Sequence, residues 1–176
     1  VNYRIIKTSR GSGMTTSHRS ASPTESPSST KSPVVLFLCA ANRARSQMAE
    51  ALLRHETEER FVVRSAGLRP AGAIDPMAIA VLEEIGIDTS DLRPKSVDEF
   101  VRAKRIDCAI IVCEKSEEDC PRLYPFCYRV LRWPCRDPVV FDGPYYERLE
   151  HFRRLRDELQ EHIRHWLDEK PFGDFQ

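Results

Sequence analysis

The sequence predicts a three-layer α/β domain built around a central four-stranded parallel sheet. Two observations lead to this prediction. Short, almost wholly apolar runs bounded by polar loops are typical of strands that are buried on both faces of a parallel sheet. Segments with helical spacing of apolar residues alternate with these runs, and this alternation favours right-handed crossovers between parallel strands.

The four predicted strands are recognised by their apolar content. The first is residues 34–38, with the sequence VVLFL, and the second is residues 61–65, closed by Ala66 and Gly67. Residues 108–112 repeat the buried-strand pattern. Residues 128–131 form the fourth predicted strand, which Pro134 ends.

The predicted helices lie between and after the strands. The first begins at Ser46, and the second covers residues 76–85, with a proline in its first turn and Gly86 just past its end. A short helix is predicted over residues 97–103. Residues 145–168 form a long terminal helix with one apolar face, which consists of Leu149, Phe152, Leu155, Leu159, Ile163 and Trp166.

Composition sets the domain limits and excludes several classes of partner. Residues 1–32 are rich in Ser, Thr and Pro and are predicted to be a disordered tail, residues 33–170 the catalytic α/β domain, and residues 171–176 a C-terminal tail. Lys and Arg together equal Asp and Glu at 27 each, which argues against nucleic acid or an acidic membrane as partner. Without a secretion signal or an apolar stretch of ~18 residues, we expect a cytoplasmic protein, and we expect a monomer.

The six cysteines indicate redox chemistry rather than a disulfide framework. A chain of 176 residues with this many core-forming segments does not depend on disulfides for stability. Disulfides in the cytosol are usually transient, catalytic or sensing. The cysteines are Cys39, Cys108, Cys113, Cys120, Cys127 and Cys135.

The loop between the first strand and the first helix carries the most informative pattern. It holds a cysteine, five residues, an arginine and then a hydroxyl: Cys39, residues 40–44, Arg45 and Ser46. Loop amides and the free N–H groups of a helix start form an oxyanion cradle, whose predicted members are Ala40, Ala41, Asn42, Arg43, Ala44 and Arg45.

The same loop also supplies a nucleophile. The guanidinium of Arg45 offers a planar fork for two oxygens of a tetrahedral oxyanion. The positive field favours thiolate over thiol at Cys39, and the Ser46 hydroxyl is placed to donate a hydrogen bond to that sulfur. The alternative, a buried structural cysteine, is the better interpretation of an isolated Cys-to-Arg spacing, but it is weaker for a strand, loop and helix with serine after the arginine.

These residues resemble the active-site loop of the low-molecular-weight tyrosine phosphatase fold, and residues 45–50 (RSQMAE) are similar to its arsenate reductase branch. That branch usually reads Cys-Thr-Gly-Asn-Ser-Cys-Arg-Ser. This chain departs from it at Ala41, Arg43 and Ala44. The resemblance covers roughly residues 34–168 and implies that fold, with arsenate as substrate and no tightly bound cofactor.

Two further segments extend the resemblance. Cys113 and Cys120, separated by six residues, are similar to the redox segment of thioredoxin-coupled arsenate reductases. The run Trp133 to Pro138 (WPCRDP) resembles the family's late loop, in which Asp137 would be the general acid. A zinc-binding pair is the alternative for the two cysteines, but zinc pairs usually have two to four intervening residues. In isolation, Asp137 before a proline is an ordinary turn residue.

The resemblance implies a complete reaction, arsenic detoxification through a Cys39/Cys113/Cys120 disulfide relay. Cys39 would attack arsenate, Cys113 would attack the sulfur of Cys39 as arsenite leaves, and Cys120 would resolve the disulfide, which thioredoxin would reduce. Glutaredoxin or a small thiol stays open as reductant. One alternative is a tyrosine phosphatase that uses Cys39, Arg45 and Asp137. It is disfavoured because Gln47 stands where phosphatases of this fold usually have proline. The other alternative is a non-catalytic oxyanion-binding or redox-sensing adaptor.

The remaining candidates are a cation site and the other cysteines and histidines. Asn42, Glu50 and Ser65 match positions that bind potassium in some family members, and Lys95 stands at the remaining position, where its ammonium could replace the ion. Cys108 is predicted to be core because it lies in an apolar strand. We assign no role to Cys127, Cys135 or the five histidines.

Overall fold

The computed structural model describes residues 32–58, 60–101, 105–114 and 127–173. Four predictions therefore fall wholly or partly outside the described residues. They concern the N-terminal tail up to residue 31, the end of the helix predicted over 97–103, Cys120 with the segment before it, and residues 174–176.

The sheet has four parallel strands, as predicted. They are β1 (Val34–Cys39), β2 (Val62–Gly67), β3 (Ile106–Ile111) and β4 (Cys127–Arg132). Their spatial order is β2-β1-β3-β4, and every neighbouring pair is parallel. Because β1 is central, its carboxyl end has a strand on each side, and this edge is where ligands bind in open α/β sheets.

Within the described residues, four α-helices accompany the sheet: α1 (Arg45–Thr57), α2 (Pro76–Glu83), α3 (Asp98–Val101) and α4 (Tyr145–Asp168). A short 3₁₀ helix, Pro138–Val140, was not predicted. The α2 helix ends two residues before the predicted limit, and Gly86 beyond it has a φ of +79°. The bounds of α4 match the prediction, because a long run with one apolar stripe is the strongest local signal a helix can give.

Two apolar clusters cover the two faces of the sheet. The larger lies between the sheet and α1, α2 and α4, and includes Phe37, Leu52 and Trp166. The smaller lies on the opposite face, where Val97 and Phe100 from the α3 region pack against it. All six residues predicted for the apolar face of α4 are buried. The three-layer α/β prediction is therefore confirmed.

Polar contacts fix α4 against α2. Arg153 and Arg156 of α4 both reach the carboxylate of Glu84, at 2.5 and 3.1 Å. Glu84 directly follows the last residue of α2. Two arginines on the polar face of α4 therefore form ion pairs with the end of α2. Beyond α4, the ring of Phe172 packs against those of Phe61 and Trp166.

No helix within the described ranges is both long and apolar enough to span a membrane.

Candidate active site

The sulfur of Cys39 lies at the carboxyl end of β1 and faces two hydrogen-bond partners. The Ser46 hydroxyl is 2.8 Å from Sγ, and the backbone N–H of Asn42 donates to it at 3.1 Å. Cys39 itself is 3% exposed. The sulfur is therefore held in place by one backbone N–H and by one hydroxyl, and in the contact with the hydroxyl either atom can be the donor.

Every backbone carbonyl of residues 40–44 accepts a hydrogen bond from a donor outside those residues. The amides of Arg69, Ala71 and Asp75 donate to the carbonyls of Ala40, Ala41 and Arg43 at 3.0, 2.9 and 2.8 Å. The Asn42 carbonyl accepts from Gln47 Nε2 at 3.1 Å, and that of Ala44 accepts from the Met48 amide at 2.9 Å. No partially negative oxygen of residues 40–44 is therefore left without a donor, which suits a loop that binds anions.

Asn42 gives the loop its turn. Its φ is +48°, a left-handed conformation that asparagine tolerates better than most residues, and no other residue of 40–44 has a positive φ. Ala41, which stands where the family usually has glycine, thus keeps an ordinary backbone conformation. The Asn42 side chain is fully buried and donates to the hydroxyls of Ser46 and Ser65, each at 2.8 Å.

Gln47 and Lys95 hold Asn42 from the other side. The Asn42 Oδ1 accepts from Gln47 Nε2 at 2.9 Å and from the Lys95 backbone amide at 2.7 Å. Gln47 Nε2 also donates to the Arg93 carbonyl at 2.6 Å. Gln47 is thus a brace between the loop and the segment before α3, a role that its place in the sequence did not reveal.

The predicted anion ligand and the predicted general acid are in direct contact. Arg45 Nη2 donates to Asp137 Oδ2 at 2.8 Å, and Nη1 donates to the Cys135 carbonyl at 3.3 Å. Arg45 is 3% exposed, whereas the side chain of Asp137 is 30% exposed. Asp137 Oδ1 accepts from the Val139 amide at 3.1 Å, which orients the carboxylate at the start of the 3₁₀ helix. Residues 92 apart in sequence therefore meet at one loop.

Gly67, at the end of β2, approaches the loop more closely than a side chain would allow. A Cβ at this position would lie 2.7 Å from the Ala40 oxygen and 2.8 Å from the Asn42 nitrogen, both backbone atoms. The position therefore requires glycine because of a close approach, a constraint that the sequence pattern of β2 did not show.

The relay cysteines are only partly described. Cys113 lies two residues beyond β3 and is buried. The Val112 amide donates to the Leu38 carbonyl at 2.9 Å, so the backbones that lead to Cys113 and to Cys39 run side by side. Cys113 packs in the apolar cluster on one face of the sheet and Cys39 in the cluster on the other. Cys120 lies outside the described residues.

The residues matched to a potassium site form a closed network with Lys95. The Lys95 ammonium lies 3.0 Å from Glu50 Oε2 and 3.0 Å from the Arg93 carbonyl oxygen. The Ser65 hydroxyl donates to the same Glu50 oxygen at 2.5 Å. Glu50 and Lys95 are both buried.

The other described cysteines differ in their surroundings. Burial raises the pKa of the Cys108 thiol to about 12, in keeping with the predicted core role. Burial also raises the pKa of the Cys135 thiol, helped by the nearby negative charge of Glu158. Cys127, at the start of β4, is half-buried. Sequence reasoning did not find that Cys135 takes part in the site through its carbonyl, since a backbone contact leaves no signal in residue type.

Taken together, the geometry places a cysteine sulfur, an arginine and an aspartate side chain at one anion loop. Such a set can perform nucleophilic attack on a tetrahedral oxyanion, with the arginine binding its oxygens and Asp137 placed to give a proton to the departing oxygen. The roles themselves stay predictions, while the placement brings Cys39, Arg45, Ser46 and Asp137 together.

Comparison with known proteins gives a consistent family. The family described as low molecular weight phosphotyrosine protein phosphatase matches residues 34–171. An arsenate reductase of Halalkalibacterium halodurans is 33% identical over 131 residues, covering 74% of this chain and 92% of that protein. An arsenate reductase of Shouchella clausii is 31% identical over 135 residues, covering 77% and 95%.

Solved structures show the same likeness. An arsenate reductase in the phosphate binding state has 28% sequence identity and a TM-score of 0.65, covering 78% of this chain and 98% of that one. A thioredoxin-dependent arsenate reductase of Corynebacterium glutamicum has 34% identity and a TM-score of 0.54, covering 77% and 64%. A tyrosine phosphatase of Erwinia amylovora, at 20% identity and a TM-score of 0.58, shares the fold.

Proposed function

The chain belongs to the low molecular weight phosphotyrosine protein phosphatase family, and from that premise we propose that it reduces arsenate to arsenite with Cys39 as nucleophile. One observation carries the proposal. The Cys39 sulfur, held by Ser46 and Asn42, shares its loop with Arg45, which is paired with Asp137. The match to relatives named arsenate reductase covers almost the whole length of those proteins, and this supports arsenate as the substrate.

The first step forms a sulfur–arsenic bond. Arsenate binds in the loop with two oxygens on Arg45, in place of the Asp137 carboxylate. The Cys39 thiolate then attacks arsenic, and one oxygen departs as water after Asp137 donates a proton. Arsenic stays at the +5 level in this adduct, so no electron has yet been transferred.

The second step is the reduction. The Cys113 thiolate attacks the Cys39 sulfur, a sulfur–sulfur bond forms, and the sulfur–arsenic bond breaks with its electron pair going to arsenic. Arsenite leaves, and the two cysteines carry the oxidation as a disulfide. Because Cys113 packs on the opposite face of the sheet from Cys39, this attack requires the residues around Cys113 to rearrange.

The third step regenerates the nucleophile. Cys120 attacks Cys113, releases the Cys39 thiolate, and leaves a Cys113–Cys120 disulfide. We propose thioredoxin as the dithiol that reduces this bond. The Corynebacterium glutamicum structure of a thioredoxin-dependent arsenate reductase supports that choice.

The relay is tested by arsenite production from the full chain with purified thioredoxin and its reductase. Cys120→Ser is expected to allow one round and to accumulate a Cys39–Cys113 disulfide, detected by mass spectrometry of alkylated peptides. Cys127→Ser, a half-buried cysteine at the start of β4, is the control and should keep most of the activity. Full turnover of Cys120→Ser with thioredoxin would refute the relay.

The second candidate function is phosphatase activity from the same loop, which the family match favours. Phosphate and arsenate have nearly the same shape and charge, so the loop offers no means of separating them. Cys39→Ser should abolish both activities, because both begin with the same thiolate. A Cys113→Ser enzyme that hydrolyses an aryl phosphate but forms no arsenite would separate hydrolysis from reduction.

We also propose that the Lys95 ammonium takes the place of a potassium ion. It lies within hydrogen-bond distance of Glu50 and of the Arg93 carbonyl, so a positive charge is already present beside Asn42 and Ser65. The melting temperature of the wild type should therefore be the same in potassium and sodium chloride of equal concentration.

The matching variant is Lys95→Ala, which takes the ammonium away from the buried Glu50 carboxylate and leaves it the Ser65 hydroxyl and, at 4.0 Å, the Arg54 guanidinium. It should destabilise the fold by about 3–5 kcal/mol, the usual effect of breaking a buried ion pair, and part of this loss should return in potassium chloride. Specific stabilisation of the wild type by potassium would contradict the proposal.

A further inference from the structure

Three side chains of metal-binding type converge between the segment after β4 and α4. Cys135, Glu158 and His162 each offer one ligand atom, and these atoms lie within 4.8 Å of one another. Cys135 follows β4, whereas Glu158 and His162 are one helical turn apart on α4. A thiol, a carboxylate and an imidazole therefore meet from two distant parts of the chain.

Neighbouring groups hold two of these side chains in place. The Trp133 and His162 rings stack with centroids 5.5 Å apart and an angle of 12° between their planes. The Cys135 thiol donates to the Trp133 carbonyl at 3.3 Å. His162 Nε2 is 3.9 Å from Glu158 Oε1, too far for a hydrogen bond between them. The imidazole and the carboxylate are thus close without a hydrogen bond between them.

The spacing suits a small cation. A tetrahedral zinc ion with bonds of ~2.0–2.3 Å holds its ligand atoms roughly 3.5 Å apart. The three ligand atoms lie no more than 4.8 Å apart, so each separation would need to shorten by at most about 1.3 Å to reach that geometry. The Glu158 side chain is 46% exposed and can move by changing rotamer, while Cys135 and the His162 ring stay in their packed positions.

Charge and access also favour a cation. The charge of Glu158, and more weakly that of Glu114, acts on the Cys135 thiol, so the local charge at the sulfur is negative. The His162 side chain is 13% exposed and the Glu158 side chain 46%, so two of the three ligands reach solvent while Cys135 is buried. Negative charge beside a buried sulfur attracts a metal ion from solution.

We propose that Cys135, Glu158 and His162 form a binding site for a zinc ion. Magnesium and calcium prefer sets of oxygen ligands, whereas a thiolate with imidazole and carboxylate suits zinc. On binding, Cys135 loses its proton to solvent and the sulfur becomes a ligand. Three protein ligands leave the fourth position of a tetrahedral ion to water.

The site adjoins the anion loop without being part of it. The Cys135 carbonyl accepts from Arg45 at 3.3 Å, and Asp137 lies two residues further along. Zinc would tie this segment to α4. Because the ion binds the folded chain through residues that are far apart in sequence, zinc should raise the melting temperature.

The test uses the full chain with Cys39, Cys113 and Cys120 replaced by serine, which removes the other thiols proposed to be reactive. Zinc affinity is measured by competition with a chromophoric chelator in a thiol-free reducing buffer. Cobalt(II) then replaces zinc as a spectroscopic probe, because a thiolate ligand gives an intense near-ultraviolet charge-transfer band. One equivalent of metal and that band are expected.

Variants in that background decide the site. His162→Gln and Glu158→Gln should each weaken zinc binding by at least about tenfold, and Cys135→Ser should remove the cobalt–thiolate band. The controls are His165→Gln, on the same helix, and Cys127→Ser. Equal affinity in His162→Gln and His165→Gln, or an undiminished band in Cys135→Ser, would overturn the proposal. If Cys135→Ser does not fold, the two variants on α4 decide it.

Discussion

At the scale of single residues, Arg45 has a negatively charged partner both before and after an anion binds: first Asp137, then the oxyanion. Its guanidinium is 3% exposed and pairs with Asp137 at 2.8 Å. A buried guanidinium without a counter-charge would be strongly destabilising, so the carboxylate keeps the arginine in place before any anion arrives. An incoming oxyanion takes over this pairing and leaves Asp137 beside it, where a general acid is needed.

The prediction at this scale concerns Asp137→Asn. The amide keeps the shape of the side chain but has no proton to give at the departing oxygen, so the arsenate reduction rate should fall by roughly 10²–10⁴. Binding of sulfate, measured by calorimetry, should be kept, because Arg45 remains. Asp142→Asn, an exposed position nearby, is the control. An unchanged rate with arsenate would remove Asp137 from the mechanism.

Residue identity alone predicted part of this site. Cys39, Arg45 and Ser46 are close in sequence, and the geometry of a strand, loop and helix fixes them relative to one another. Asp137 was found only through the resemblance, since its contact with Arg45 spans 92 residues. The role of Gln47 in bracing the loop could not be predicted from the sequence, because one of its hydrogen-bond partners is the backbone carbonyl of Arg93, in a distant segment.

At the scale of elements, local periodicity predicted each described strand and α-helix, while tertiary pairing set the limits of the strands. β3 begins two residues earlier than its apolar run suggested, because Ile106 pairs with Cys127 of β4. β2 extends to Gly67, which pairs with Cys39 of β1. Such partners lie far along the chain, so no local window of sequence contains the information.

The prediction at this scale is Gly67→Ala. Its Cβ would meet the Ala40 oxygen at 2.7 Å and the Asn42 nitrogen at 2.8 Å, so the anion loop must shift. We expect a loss of about 1–3 kcal/mol in the free energy of unfolding, measured in urea, and weaker sulfate binding. Gly72→Ala is the matched control, because a Cβ there has nothing within 4 Å. Equal sulfate affinity in both variants would show that the contact does not shape the loop.

At the scale of the whole molecule, the helical layer is held by both apolar and charged contacts. The buried face of α4 packs against the sheet side of the molecule, and its arginines reach Glu84 at the end of α2. The hydrogen bond from Arg153, followed by that from Arg156, holds the pKa of the Glu84 carboxyl below its usual value of 4.5. The amphipathic pattern of α4 predicted its apolar contacts, but it did not predict which arginine would form an ion pair with which carboxylate.

The pH dependence of stability follows from that shift. A carboxyl whose pKa is lowered by folding stabilises the fold above its unfolded pKa, and this contribution is lost as the pH falls through the lower folded value. Glu84→Gln should therefore destabilise the protein at pH 7, by less than about 1 kcal/mol because the pair is exposed. The difference from wild type should shrink as the pH drops below 4.5.

The measurement is urea unfolding of both proteins at a series of pH values. Glu83→Gln is the control, since the Glu83 carboxylate accepts a hydrogen bond from Thr89 and not from α4. A Glu84→Gln effect that is the same at pH 7 and at pH 3 would rule out the ion pairs as its source.

The hydrogen-bonded carbonyls of residues 40–44 fix the orientation of the peptide dipoles in the anion loop. A flexible peptide that meets an oxyanion must reorient its dipoles at that moment, and the reorganisation energy is subtracted from the affinity. In this fold the dipoles are oriented once the chain has folded, and the backbone amides of Arg69, Ala71 and Asp75 maintain that orientation through their hydrogen bonds to the loop carbonyls. Charge that develops on the oxyanion during reaction therefore meets a preorganised field, which is the largest source of rate enhancement in many enzymes.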